Sequence, residues 1–127
     1  MLSDETYLDF VYDGAEAPSA LTRASAFGER LAVVGSFSKT YAMTGWRLGY
    51  GIMPQELAAA VAKLQTNCTS CTAAFTQIAG AEALTGPQDE PARMREEFRK
   101  RRDFLVDGLN AIEAALQEIV PNDAGYE

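Results

Sequence analysis

Leu31-Ala32-Val33-Val34-Gly35-Ser36-Phe37-Ser38-Lys39-Thr40 is the stretch on which the fold turns. Four apolar residues in a row suit a strand covered on both faces, the pattern of an α/β sheet, and Gly35 is expected to end it. The small, polar segment Ser36 to Thr40 then falls at a strand end, where α/β proteins place their ligands. Upstream, the aromatic-rich Thr6 to Tyr12 reads as a strand or extended chain leaving Asp4, and Asp13-Gly14 through Pro18-Ser19 as a loop. Downstream, Trp46 to Met53 reads as another strand. Pro54 suits the first turn of a helix in which Leu57, Ala60, Val61 and Leu64 recur at helical spacing. Ala73 to Leu84 makes a second helix, closed by Gly86-Pro87. Glu90 to Ile112 makes a third, with Met94, Phe98, Leu105, Leu109 and Ile112 on one face. Charges of both signs between Arg95 and Asp103 mark its solvated side. The tail after Pro121 is too short to classify.

Composition narrows the function. A chain of 127 residues with 47% hydrophobic content is long enough to bury a core. A net charge of −7 and a pI near 4.6 argue against nucleic acid or an anionic membrane as partner, because like charges repel. The longest apolar run, Leu57 to Ala62, falls far short of the roughly 20 residues a bilayer span needs. Met1-Leu2-Ser3-Asp4 lacks the basic and apolar regions of a signal peptide, so a cytoplasmic protein is expected. The chain contains no histidine, which removes Ser/His and Cys/His nucleophilic pairs and most catalytic zinc sites. Cys68 and Cys71 form a C-x-x-C with no further cysteine to complete a metal site. With Thr69 and Ser70 placed in a helical, alanine-rich region, they are expected to be two small buried thiols, and no metal is assigned.

Three motifs compete for the segment around Lys39. A phosphate loop of the form G-x-x-x-x-G-K-[ST] needs glycines where Ser38 and Val33 stand, so the backbone cannot wrap a phosphate that way. Ser36 and Lys39 satisfy S-x-x-K, but in that enzyme class the serine opens a helix and S-D-N and K-T-G elements follow. Here the serine closes a strand and neither element occurs. The third motif is the whole of Gly35-Ser36-Phe37-Ser38-Lys39-Thr40-Tyr41-Ala42-Met43-Thr44-Gly45-Trp46-Arg47-Leu48-Gly49-Tyr50. It closely resembles the lysine region of the class I aminotransferases, the pyridoxal-phosphate enzymes of fold type I that include aspartate and aromatic amino-acid aminotransferases. Ser3-Asp4-Glu5-Thr6-Tyr7 resembles the same family's aspartate and tyrosine strand end, and the 35 positions between Asp4 and Lys39 suit it as well. The likeness extends over nearly the full chain.

The resemblance implies an α/β fold, with residues 1–90 a portion of the large domain that binds pyridoxal 5'-phosphate. Residues 91–127 would be the interdomain helix and the start of the small C-terminal domain. It implies that Lys39 carries the cofactor as a Schiff base and that its freed amine moves the substrate's α-proton. Asp4 would keep the ring nitrogen protonated, Tyr7 would hydrogen-bond the ring's phenolic oxygen, and Ser36 and Arg47 would grip the phosphate. Amino acids and 2-oxo acids would be the substrates, and a homodimer or other self-association the assembly. Family members are several-fold longer, with a glycine-containing phosphate loop and a ring-stacking aromatic upstream and a carboxylate-binding arginine near the C-terminus. The chain is therefore expected to be a fragment that leaves the donor amino acid unreadable. Pro121-Asn122-Asp123-Ala124-Gly125-Tyr126-Glu127 departs from the family's Pro-x-Gly-Ala-Phe-Tyr. A lyase or synthase relative, or a non-catalytic fragment, is the alternative. The expected packing leaves the apolar faces of Leu31 to Val34 and Leu57 to Leu64 partly bare.

Overall fold

A computed structural model describes residues 1–119. Its elements in chain order are β1 (Leu2–Asp4), α1 (Ala24–Phe27), β2 (Ala32–Ser36), α2 (Phe37–Thr40), β3 (Gly49–Ile52), α3 (Gln55–Cys68), α4 (Ala74–Thr85) and α5 (Asp89–Ile119). The chain divides into two units, Met1–Pro91 and the residues from Ala92 onward. Among the described residues no helix is long and apolar enough to cross a membrane.

The sheet has the order β1-β2-β3, with β2 parallel to β1 and antiparallel to β3. Asp4 pairs with Val34, and the Glu5 N–H continues the ladder by donating to the Val34 carbonyl at 2.9 Å. Parallel pairing puts the C-terminal ends of β1 and β2 at one edge, so Asp4 stands beside the strand end that leads into Lys39. Ser36 closes β2 opposite Gly49, one residue later than expected, because Gly35 still pairs, with Tyr50. A Cβ at Gly35 would fall inside the Tyr50 ring, so glycine is what lets that ring cross the strand.

Leu31, Ala32, Val33, Phe37 and Met43 are buried, Val33 most completely. Of the run Leu31 to Val34, expected to be partly bare, Leu31 to Val33 are covered and Val34 is half-buried, because β2 is the central strand. Phe37 stacks obliquely on Tyr41 and edge-on against Tyr50, with ring centroids 5.7 and 5.8 Å apart. α4 approaches this cluster through Gly80, where a Cβ would meet Leu48 and the Phe37 ring.

Several local expectations change. Thr6 to Tyr12 is not a strand: the Asp4 carboxylate accepts the Thr6 N–H at 3.0 Å and bends the chain into successive turns. The strand after Trp46 is shorter than Trp46 to Met53, because Thr44–Trp46 form a 3-10 turn and Arg47 is left-handed at φ 56°, ψ 49°. α3 ends at Cys68 and Ser70 is left-handed at φ 63°, so Thr69 and Ser70 lie outside the helix. Both cysteines are free and exposed, not buried, since they stand at and just beyond that helix end. α4 stops where the Gly86 N–H donates to the Glu82 carbonyl at 2.7 Å. α5 begins with Asp89 and Glu90, whose charges suit a helix N-terminus, and runs seven residues beyond Ile112. The segment from Pro121 to Glu127 lies outside the described residues.

Candidate active site

The lysine sits on one tight turn of helix. Ser36, extended at φ −142°, is its N-cap, and its Oγ accepts the Ser38 N–H at 3.1 Å. The Ser36 hydroxyl also reaches the Leu48 carbonyl, at a long 3.5 Å. The turn closes when the Ala42 N–H donates to the Lys39 carbonyl at 3.3 Å, with Ala42 left-handed at φ 54°. Lys39 is half-buried, and its Nζ lies 5.5 Å from the centroid of the Tyr7 ring, a cation–π distance.

Asp4, at the end of β1, is exposed and accepts from Thr6 twice, from the hydroxyl at 2.7 Å and from the N–H. The Thr6 hydroxyl, then its N–H, hold the Asp4 carboxyl below the usual carboxylate range against the small opposing effect of burial. An anion is therefore maintained at the sheet edge beside Lys39's strand. Tyr7 is 62% exposed and packs edge-on against Phe10.

Arg47 lies differently. Its Nη1 donates to the Thr44 carbonyl at 2.8 Å, and it lines an open cavity of about 780 Å³ together with Trp46, Gln65, Cys71, Phe75 and Thr76. None of Asp4, Tyr7, Ser36 or Lys39 lines that cavity. Asp4 and Ser36 thus share a sheet edge and Tyr7 meets Lys39, while Arg47 lines a cavity that the other four do not.

Two acidic residues escaped the sequence analysis. Glu5 accepts from the Ser19 hydroxyl and the Ala20 N–H, each at 2.7 Å, and from the Ser3 hydroxyl at 3.2 Å. Burial pushes its carboxyl up, but these three donors outweigh that and leave it below the ordinary value. Asp9 accepts from the Thr40 hydroxyl at 2.8 Å, across 31 residues. No local pattern marks either one, because Ser19, Ala20 and Thr40 lie 14 to 31 positions away. Tyr41 beside them is held protonated by burial first, then by the charge of Asp9 and by Tyr50, and its hydroxyl donates to Gln88 Oε1 at 3.1 Å.

The residues suit a pyridoxal-type cofactor chemically. A reachable amine, a carboxylate kept ionised and a tyrosine against the amine occupy one edge of the sheet.

A sheet with a lysine-bearing turn at its parallel edge is the architecture of aspartate aminotransferase-like proteins. Residues 1–126 match the family "Aminotransferase class I and II", and the chain belongs to that family. It is 42% identical over 126 residues to the aspartate aminotransferase of Rhizobium meliloti (strain 1021), covering 99% of this chain and 30% of that protein. An LL-diaminopimelate aminotransferase of Moorella thermoacetica is 39% identical over 109 residues, which is 86% of this chain and 28% of that protein. The crystal structure of the Rhizobium meliloti aspartate aminotransferase superposes with a TM-score of 0.82 at 43% identity, over 87% of this chain and 28% of that one. The chain spans about 30% of the length of the curated relatives it matches.

Proposed function

We propose that this chain carries the lysine region of a pyridoxal-phosphate-dependent aminotransferase that moves an amino group from an amino acid to a 2-oxo acid. The observation that carries this is the meeting of Lys39 with Tyr7 at the edge where Asp4 also ends its strand. When bound, pyridoxal 5'-phosphate supplies an electron sink for the amino acid's α-carbon. Lys39 would hold the cofactor through Nζ, and its amine is the base placed to take up the substrate's α-proton. The Asp4 carboxylate, held below the usual carboxylate range by Thr6, would keep the ring nitrogen's proton in place. The Tyr7 hydroxyl would hydrogen-bond the ring oxygen. Ser36 and Arg47 offer the phosphate a hydroxyl and a guanidinium.

In this proposal residues 1–90 are part of the large cofactor-binding domain, and 91–127 are the connecting helix and the start of the small one. Self-association, in the form of a homodimer, is proposed from the exposed apolar side chains of α3. The free thiols of Cys68 and Cys71 suit the cytoplasm.

The test is to add pyridoxal 5'-phosphate, reduce with borohydride and map the peptides. Label on Lys39 alone, with visible absorbance before reduction, is the expected result. Label spread over Lys63 and Lys100 would sink the proposal.

A further inference from the structure

Tyr7 and Lys39 are 32 positions apart, and something must hold them together. Their own contact is weak: Tyr7 is largely exposed, and a cation over a wet ring is poorly attracted. The lysine amine also ends a flexible four-carbon stem with many rotamers. Each partner, however, sits on a hydrogen-bonded turn. The Tyr7 turn is closed by the Leu8 N–H donating to the Glu5 carbonyl and the Phe10 N–H donating to the Tyr7 carbonyl, both at 3.0 Å. Its base is pinned by Glu5 to Ser19 and Ala20. The Lys39 turn is closed by the Tyr41 N–H donating to the Phe37 carbonyl at 3.2 Å and by Ala42.

One side-chain bond joins the two turns. Asp9 lies two residues after Tyr7, Thr40 one residue after Lys39, and the Thr40 hydroxyl donates to Asp9 Oδ2 at 2.8 Å. A carboxylate acceptor makes this a charge-assisted bond, about twice as strong as a neutral one. We propose that Asp9 and Thr40 form a clamp that sets Lys39 over Tyr7, which makes both of them positioning residues for the site. The role of the clamp in cofactor chemistry rests on the proposed function; the clamp itself does not.

The test uses Thr40→Val, Asp9→Ala, the double variant and Thr40→Ser in the cofactor-free protein. Trace acylation followed by peptide mapping gives the labelling rate of Lys39 relative to exposed Lys63. In the parent protein half-buried Lys39 should label more slowly than Lys63. Either single variant should raise the ratio, by roughly fivefold for a coupling of the usual size. The double variant should raise it no further, and Thr40→Ser should leave it at the parental value. If Thr40→Val fails to fold, Asp9→Ala carries the test. An unmoved ratio, additive effects in the double variant, or failure of Thr40→Ser to match the parent would each overturn the clamp.

The same variants are then loaded with pyridoxal 5'-phosphate and their absorbance recorded. A changed spectrum in Thr40→Val, restored in Thr40→Ser, supports the positioning role. If the acylation ratio moves but no cofactor attaches to Lys39 in the parent protein, the clamp stands and the proposed function falls. If cofactor attaches to Lys39 while the ratio is unmoved, the clamp falls and the proposed function stands.

Discussion

Leu31 to Val33 and Leu57 to Leu64 are both apolar, yet the first is between 2% and 8% exposed while Leu57, Val61 and Leu64 are 43%, 40% and 64% exposed. The difference lies in how each element satisfies its backbone. A strand has no internal hydrogen bonds, so β2 can exist only where β1 and β3 pair with it, and that placement brings its side chains into the core. A helix bonds to itself, so the backbone of α3 is satisfied whether or not anything covers its apolar stripe. Apolar character alone therefore does not decide burial; the element's need for neighbours does.

The sharpest way to break the comparison is to truncate one side chain on each element. Val33→Ala should lower stability by about 2–3 kcal/mol in urea unfolding, through lost burial and the cavity left behind. A change under about 0.5 kcal/mol would show that the core is not centred on β2.

Gly35→Ala should cost about 1–3 kcal/mol by overpacking against the Tyr50 ring. Combining it with Tyr50→Leu should recover part of that loss. No recovery would mean the strain arises elsewhere than at the ring.

Glu5→Gln tests whether the turn beside β1 is held as firmly as β2, and should cost about 1 kcal/mol at neutral pH. The sign with pH follows from Glu5's lowered carboxyl. Its contribution is full above the ordinary value of 4.5 and is lost as pH falls through the lower folded value. Urea melts at stepped pH should therefore show a shallower acid limb in Glu5→Gln, and an identical limb would remove Glu5 from the account.

Leu64→Ala should change stability by no more than about 0.5 kcal/mol, the usual result for an exposed position. A loss near that of Val33→Ala would show α3 covered in solution. Sedimentation of the parent protein over a range of concentrations would then tell whether a second copy does the covering.

The lysine-bearing turn of the candidate site was legible because its residues are close in sequence. The segment from Ser36 to Arg47 is one continuous motif, and the lysine turn it encodes is local. β1 was not legible in the apolar pattern, only through the resemblance at Ser3 to Tyr7: it is three residues long, Leu2 is 71% exposed, and nothing apolar alternates along it. The aromatics of Thr6 to Tyr12 suggested a strand in its place, but one carboxylate accepting the N–H two residues on outweighed that propensity. The cysteines were misplaced for a related reason, since the left-handed Ser70 that ends the helical region carries no glycine to announce it.

The family and the three helices after Met53 could be read in the sequence alone, because a motif and a helical period are written in neighbouring residues and helices close their bonds within themselves. Only the tertiary structure decided that β1 pairs in parallel with β2 so that Asp4 stands by the lysine's strand, that β3 returns antiparallel, and that Asp9 reaches Thr40. Those pairings join residues 13 to 31 positions apart, and no local pattern encodes a bond whose partner is that distant until the chain has closed the loop between them.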